Sequence, residues 1–148
     1  MRTVSAVISI SLLIILLLVN PVIGSSDWEE YWRFQGDIYS YNKDNIKHRT
    51  KNIVQVWSKV VYSDKGREKL IQIMRNRGMS TEGYDKLAHS IDLSEIDCKK
   101  KMCQLLSVTH YDTDGSVLYS GSSDKPRWKY IVPDSIFDPL RKIVCNNQ

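Results

Sequence analysis

The chain has 148 residues, of which 42% are hydrophobic and 26% are charged, and its formal net charge at pH 7 is +4. This length suits one domain built around one hydrophobic core. The small positive excess mainly serves solubility and attracts anionic partners only weakly. It excludes the strongly basic footprint of a nucleic-acid-binding protein.

The N-terminal segment has the pattern of a secretory signal. Arg2 is followed by an uncharged stretch at 3–26, whose apolar run ends at an Asn-Pro pair. We therefore predict a signal peptide at 1–24 and one mature domain at 25–148. No cysteine lies immediately after the predicted cleavage site, so we expect no lipid anchor. We also expect no transmembrane span on the mature chain. Export also makes disulfides the default state of the cysteines.

The first predicted elements of the mature chain are strands. Aromatic residues crowd the segment 28–41, and the turn residues Gly36 and Asp37 divide it into two halves, which predicts a hairpin. The segment 52–62 is rich in β-branched residues and predicts one long strand.

A helix is predicted to follow this strand. Ser63 or Asp64 can serve as its N-cap, apolar residues recur on one helical face, and Gly78 is a stop signal. These signals predict a helix of about three turns.

The segment 85–122 predicts a three-stranded meander. In its first strand, alternate residues from Leu87 to Leu93 share one face, and the apolar pattern changes phase at Ile96, which predicts a bulge or a twist there. Gly115 lies in the stretch "DTDG", which predicts a tight turn between the second and third strands.

The C-terminal segment predicts a second helix from Ser135 to Cys145, with Asp134 as a candidate N-cap. Pro139 is tolerated only in the first turn of a helix, which also allows the regular helix to begin after Asp138. Together the elements predict an α+β fold: an antiparallel sheet of about five or six strands, with one helix between strands and one at the C-terminus.

The three cysteines leave several linkages open. A bond between Cys98 and Cys145 would close a loop of about 48 residues and hold the C-terminal helix on the sheet. A bond between Cys98 and Cys103 would staple a turn, because facing residues of an antiparallel pair lie close enough to bridge. A zinc site that adds His110 has the right ligand types, but it lacks a tight pair such as CxxC, and an oxidising compartment disfavours it. We predict no metal site.

The sequence lacks the patterns of catalytic sites. It contains no GxSxG elbow, no Gly-rich phosphate loop and no HExxH pair, so we predict no catalytic residue, no enzyme activity and no cofactor. Asp112 and Asp114 look like paired carboxylates, but within "YDTDG" they are interpreted as turn residues that cap a hairpin. The four tryptophans are typical of core and cross-strand packing.

Two basic stretches in predicted loops form a candidate binding patch. The patch consists of Lys47, Arg49, Lys51, Lys99, Lys100 and Lys101. Charged loops are often merely solvated, but clustered cations also bind acidic proteins, polyanionic glycans and the phosphates of lipopolysaccharide.

Several motifs resemble one bacterial family. The stretches "LSEIDCKKKMCQLLSVTHYDTDGSV", "RWKYIVPDSI" and "IVC" occur in the order and spacing of the surface-adhesin protein E-like proteins of Gram-negative bacteria. "DIYSYNKDNIK" before "IVQVWSKVVYSDKGR" is similar to the family's tyrosine-rich strand, short connection and Val-x-Val-Trp-x-Lys strand. The resemblance covers most of the mature chain. It implies an antiparallel sheet whose C-terminal helix is tied back by a disulfide between Cys98 and Cys145, and it leaves Cys103 as a free thiol at a position where the family does not demand a cysteine.

The export signal, the resemblance and the missing catalytic patterns together predict a non-enzymatic binding or adhesion-type domain of the bacterial cell envelope. Its expected partner is a protein or a polyanionic envelope or matrix ligand, and a homodimer is a further option. The expected location is the periplasm, the cell surface or the medium. The alternative hypothesis is a periplasmic structural or assembly accessory that pairs a sheet edge with a partner strand or with itself.

Overall fold

The computed structural model describes residues 27–146, so the predicted signal peptide at 1–24 lies outside the described residues. Within this range the strands are β1 (Trp28–Phe34), β2 (Asp37–Asn42), β3 (Lys47–His48), β4 (Ile53–Val61), β5 (Leu87–Asp97), β6 (Met102–Asp112), β7 (Val117–Ser122) and β8 (Lys129–Tyr130). The helices are α1 (Asp64–Asn76) and α2 (Phe137–Cys145).

All of these strands belong to one antiparallel sheet with the order β1-β2-β4-β5-β6-β7. The two-residue strands β3 and β8 pair with β4 and β6, beside β2 and β7 respectively. The antiparallel sheet and the meander β5-β6-β7 are confirmed. The six longer strands match the predicted number.

The predicted N-terminal hairpin is confirmed, but its turn lies one residue earlier than predicted, because Asp37 is already the first residue of β2. Gln35 and Gly36 connect β1 to β2, and both have positive φ angles, of 52° and 93°, as a two-residue hairpin turn with the favoured twist requires. Aromatic packing holds the two strands together. The ring of Tyr31 lies 6.4 Å from that of Tyr39 and 6.3 Å from that of Tyr41.

The start of α1 is fixed by its N-cap and by β2. The Oγ atom of Ser63 accepts a hydrogen bond from the backbone N–H of Gly66 at 3.0 Å, which confirms Ser63 as the N-cap. The backbone N–H and the hydroxyl of Ser63 both donate to Oδ1 of the buried Asp37, each at 2.7 Å. The helix is therefore anchored to the first residue of β2.

The C-terminal helix begins two residues later than predicted. Asp134 is not its N-cap, because its backbone lies in the left-handed region with φ 60°; Ile136 occupies that position without a side-chain hydrogen bond. The helix begins at Phe137 rather than after Asp138. Pro139 is then the third helical residue, where its missing N–H costs no intrahelical hydrogen bond.

A disulfide joins α2 to the end of β5. Cys98 and Cys145 are bonded, with their Cα atoms 5.7 Å apart, and this confirms the predicted helix tied to the sheet by a disulfide. Beneath the tie, Leu140 and Val144 are fully buried in a cluster with Val54, Val56, Ile96, Tyr41 and Ile131.

Both helices cover the same face of the sheet. At the opposite end from α2, α1 packs Met74 against Tyr84 and Leu87, with Tyr62 at the edge of this second cluster. The hydroxyl of Tyr62 contacts Ser90, the strand partner of the buried Val60, which places it on the face that α2 also covers. Neither α1 nor α2 covers the other face, which we call the open face.

Of the bulge or twist predicted at Ile96, the bulge is wrong. β5 stays in continuous register with β4 from His89 to Asp97, and its two register shifts, at Leu87/His89 and Leu93/Ser94, are both against β6. The apolar pattern changes phase at Ile96 because α2 covers this end of the strand. Ile96 points at the helix, while Leu93 lies on the open face.

Candidate functional site

The six residues of the predicted basic patch lie at one end of the sheet. Lys47 is in β3, Arg49 and Lys51 are in the turn before β4, and Lys99, Lys100 and Lys101 are in the turn between β5 and β6. The two turns touch, because the backbone N–H of Cys98 donates to the carbonyl of Asn52 at 2.8 Å. We call this set of six residues the basic end.

The charges of the basic end are available to a partner. All six side chains are exposed, and none takes part in the ion pairs found within residues 27–146. The carboxylate that lies closest in the chain, Asp97, is buried and accepts the backbone N–H of Lys100 at 2.8 Å. The fold thus joins two separate stretches into one cationic surface.

The remaining cysteine, Cys103, lies close to the disulfide between Cys98 and Cys145. Cys103 is not in a disulfide and is half-buried on β6, paired in register with Ile96. Burial raises the pKa of its thiol, and the positive charge of Lys129 opposes this. A raised thiol pKa disfavours the reactive thiolate.

The other residues considered for chemistry are structural. Nδ1 of His110 lies 2.8 Å from the hydroxyl of Tyr84 in the second cluster, and burial lowers its pKa. Oδ1 of Asp112 accepts the backbone N–H groups of Asp114 and Ser116 at 2.9 and 2.7 Å, as a turn residue does. Within residues 27–146 no group of three potential ligands is placed to hold a metal ion.

Two of the tryptophans meet on the open face of the sheet. Trp28 and Trp57 line a shallow depression of about 390 Å³ together with Tyr111. Nζ of Lys59 lies 6.0 Å from the centre of the Trp28 ring, and His89 stacks on Tyr111 with ring centres 4.8 Å apart. His89 and Tyr111 are cross-strand partners on β5 and β6, whereas Trp28 and Trp57 lie on β1 and β4, which β2 separates.

The covered face carries a polar strip between its two apolar clusters. We define the polar strip as Ser90, Asp92 and Ser94, which alternate along β5. The hydroxyl of Tyr62 donates to Ser90, and Ser90 donates to Oδ2 of Asp92, each at a long 3.4 Å. Oδ1 of Asp92 and Oγ of Ser94 are buried and have no hydrogen-bond partner among the described residues. Such groups cost stability, because buried polar atoms are normally paired.

Asp92 has an unusual electrostatic environment. Burial raises the pKa of its carboxyl group to about 6, and the hydrogen bond from Ser90 opposes this only partly. Burial also raises the pKa of Tyr62 to about 12, with a contribution from the negative charge of Asp92. The carboxyl group accepts a hydrogen bond from the hydroxyl group of Ser90 and forms no ion pair within residues 27–146.

A cavity of about 590 Å³ opens beside Asp92. Its apolar lining includes Leu105, Ile136 and Phe137, and three cations also line it, namely Lys125, Arg127 and Lys129. We call it the Asp92 cavity. Sequence reasoning missed it, although "SIDLSEI" carries a signal: a charged residue stands between two serines on one face of the strand, while Ile91 and Leu93 lie on the other face.

No helix within residues 27–146 has the length and apolar character needed to cross a lipid bilayer.

Comparison with known proteins identifies the family. Residues 28–146 match the family model described as Surface-adhesin protein E, while a comparison with curated proteins finds no match. A solved structure of protein E from Haemophilus influenzae has 14% sequence identity and a TM-score of 0.52, and the match covers 82% of this chain and 86% of that one. Protein E from non-typeable Haemophilus influenzae has 13% identity and a TM-score of 0.51, covering 86% and 80%. These likenesses show a shared fold, and the family match shows that this chain belongs to the surface-adhesin protein E family.

Proposed function

We propose that this protein is an exported, non-enzymatic binding domain of the bacterial cell envelope that attaches to a polyanionic partner through the basic end. Its family is described as a surface adhesin, which supports an adhesive role outside the cytoplasm. The observation that carries the proposal is the meeting of Lys47, Arg49 and Lys51 with Lys99, Lys100 and Lys101 at one end of the sheet, all exposed and without ion-pair partners among the described residues.

A polyanion fits this surface better than a single acidic group does. An exposed ion pair contributes only about 0.2–1 kcal/mol, so useful affinity requires several contacts formed at once. Two adjacent turns that each carry three cations offer such contacts to a repeating anionic chain. We therefore propose a sulfated glycan of the extracellular matrix as the ligand class.

The test is binding to heparin immobilised on a sensor surface. In one variant, Lys99→Gln and Lys100→Gln are combined with Lys101→Asn, because Lys101 has a positive φ of 55° that asparagine tolerates. We expect about tenfold weaker binding, since three contacts of about 0.5 kcal/mol each are lost. Binding by the wild-type protein should weaken steeply as salt is added.

The matched control removes three exposed cations elsewhere, by Lys65→Gln, Lys69→Gln and Lys86→Gln. This control has the same net charge as the basic-end variant and should retain most of the affinity. Equal losses in both variants would mean that only net charge matters, and wild-type binding no stronger than that of an unrelated basic protein would refute the proposal.

The edge strand β7 favours a second candidate function, assembly by strand pairing. β7 is the last strand of the sheet and contains no charged residue, whereas the other edge, β1, carries charges and a bulge between Glu30 and Trp32. Charges and bulges normally protect an edge from pairing. Val117 on β7 is 56% exposed beside a cavity of about 660 Å³. We propose a second copy of this chain as the partner of β7.

Sedimentation over a range of concentrations tests this pairing. The wild-type chain should form a concentration-dependent dimer, and Val117→Lys combined with Ser122→Lys should shift it to monomer, because lysines on an edge strand oppose pairing. Val132→Lys changes an exposed apolar residue outside β7 and should leave the dimer intact. A wild-type monomer at every concentration would exclude self-pairing.

A further inference from the structure

We propose that the Asp92 cavity binds a small zwitterion of the size of a dipeptide, with its ammonium group at Asp92, its carboxylate at Lys125, Arg127 and Lys129, and an apolar side chain on the wall formed by Leu105, Ile136 and Phe137. This site shares no residue with the basic end, and it does not depend on the adhesive role proposed above.

The carboxyl group of Asp92, which lines the cavity, has no ion-pair partner within residues 27–146. Oδ1 of Asp92 has no partner among the described residues, and Oδ2 receives only the 3.4 Å hydrogen bond from Ser90. The titratable side chains that influence or are influenced by Asp92 are the tyrosines Tyr31, Tyr39 and Tyr62, from the strands and the strand end packed around it. None of them supplies a cation. A buried carboxyl group without a cation is unfavourable, and the ammonium group of a ligand in the cavity would supply the missing positive charge.

Three other residues of the lining carry the opposite charge. The cavity is lined by Lys125 and Arg127, which lie between β7 and β8, and by Lys129, the first residue of β8. None of these cations forms an ion pair within residues 27–146. These cations repel a simple amine, and Asp92 repels a simple carboxylate. Only a ligand that carries both charges satisfies both parts of the lining.

The size and the walls of the cavity restrict the ligand further. Ligand sites commonly have volumes of about 300–1,000 Å³, and the volume here is about 590 Å³. Two residues of extended peptide span about 7 Å, so a dipeptide separates its terminal charges further than a free amino acid does. The exposed Leu105, with Ile136 and Phe137, offers apolar contact to its side chains.

Calorimetric titration with the dipeptide Leu-Phe tests the assignment. We expect binding by the wild-type protein and at least about tenfold weaker binding of the N-acetylated dipeptide, which lacks the charged group that Asp92 would accept. The C-terminal amide should also bind more weakly. If both blocked peptides bind as well as Leu-Phe, or if Leu-Phe itself does not bind, the proposal is overturned.

Variants locate the site. Asp92→Asn keeps the shape of the side chain and should weaken Leu-Phe binding by about tenfold or more. Arg127→Gln should also weaken Leu-Phe binding, but to a smaller extent. Asp114→Asn removes an exposed carboxyl group at the β6-β7 turn and should have no effect. Substitution of Lys47, Arg49 and Lys51 by glutamine should also have none, which separates this site from the basic end.

Cys103 provides an independent readout, because its side chain lines the same cavity. Leu-Phe should slow the alkylation of Cys103 by iodoacetamide in the wild-type protein and should not slow it in the Asp92→Asn variant. Protection that is equal in both proteins would show that any binding does not involve Asp92.

Discussion

Replacing Cys98 and Cys145 by serine should lower the free energy of unfolding by about 4 kcal/mol, because the disulfide closes a loop with a sequence separation of 47 residues and the cost of ordering such a loop grows with its length. Domains of this size are stable by only about 5–15 kcal/mol. The variant is therefore expected to be only marginally folded. The measurement is urea unfolding followed by tryptophan fluorescence, with Cys103→Ser in both proteins to prevent new disulfides.

Cys103→Ser alone is the control for the disulfide variant. Cys103 is half-buried and unbonded, so its loss should change the free energy of unfolding by less than about 1 kcal/mol. If removal of the disulfide changed stability no more than this control does, α2 would be held by its buried Leu140 and Val144 alone. If α2 detaches from the sheet without the disulfide, the Asp92 cavity should also lose a wall, because Phe137 belongs to α2.

Asp92→Asn should make the protein relatively more stable as the pH rises. The folded protein holds the pKa of Asp92 at about 6, against an ordinary value of 3.8. Between these two values the unfolded chain releases the proton while the folded chain keeps it, so stability falls with rising pH. A difference of about two pKa units corresponds to about 3 kcal/mol. The advantage of the variant over the wild-type protein should therefore grow by about this amount between pH 3.5 and pH 7.5.

The informative quantity is the change of this difference with pH, because the asparagine side chain of the variant is also a buried polar group and shifts the whole curve. Urea unfolding at several pH values gives the profile, and the steepest change should fall between pH 4 and pH 6. Asp114→Asn measures the effect of losing a surface carboxyl group. A difference between wild-type and Asp92→Asn that does not vary with pH would show that Asp92 is not held in its neutral form.

The stability of Asp92→Asn bears on its ligand binding. A carboxyl group that lowers stability at neutral pH has no benefit to the fold itself, since Oδ1 of Asp92 and Oγ of Ser94 are both buried without partners among the described residues. Strained or unpaired groups of this kind concentrate at functional sites. If Asp92→Asn gains stability and loses dipeptide binding, Asp92 lowers the stability of the fold but contributes to ligand binding.

Local signals in the sequence were enough to predict most of the elements. β-branched residues from Ile53 to Val61 predicted β4, Ser63 predicted the start of α1, and Gly36 and Gly115 predicted turns, because these signals act over a few residues of chain. The family resemblance supplied the linkage of Cys98 to Cys145, which spacing alone left open. The start of α2 was misplaced, since Asp134 adopts a backbone conformation that its side-chain chemistry does not reveal.

Long-range packing determines how the surfaces are assembled. The sequence pattern of β5 shows two different faces, but it does not show which one the helices cover, and α1 and α2 lie on the face of Ser90, Asp92 and Ser94. The two basic stretches become one surface only because β4 and β5 pair with their turns at the same end. Both features depend on contacts between residues far apart in the chain, whereas turn and helix signals are local. The sequence therefore identified the residues of the basic end, but it did not show where the two turns meet, and it did not reveal the Asp92 cavity.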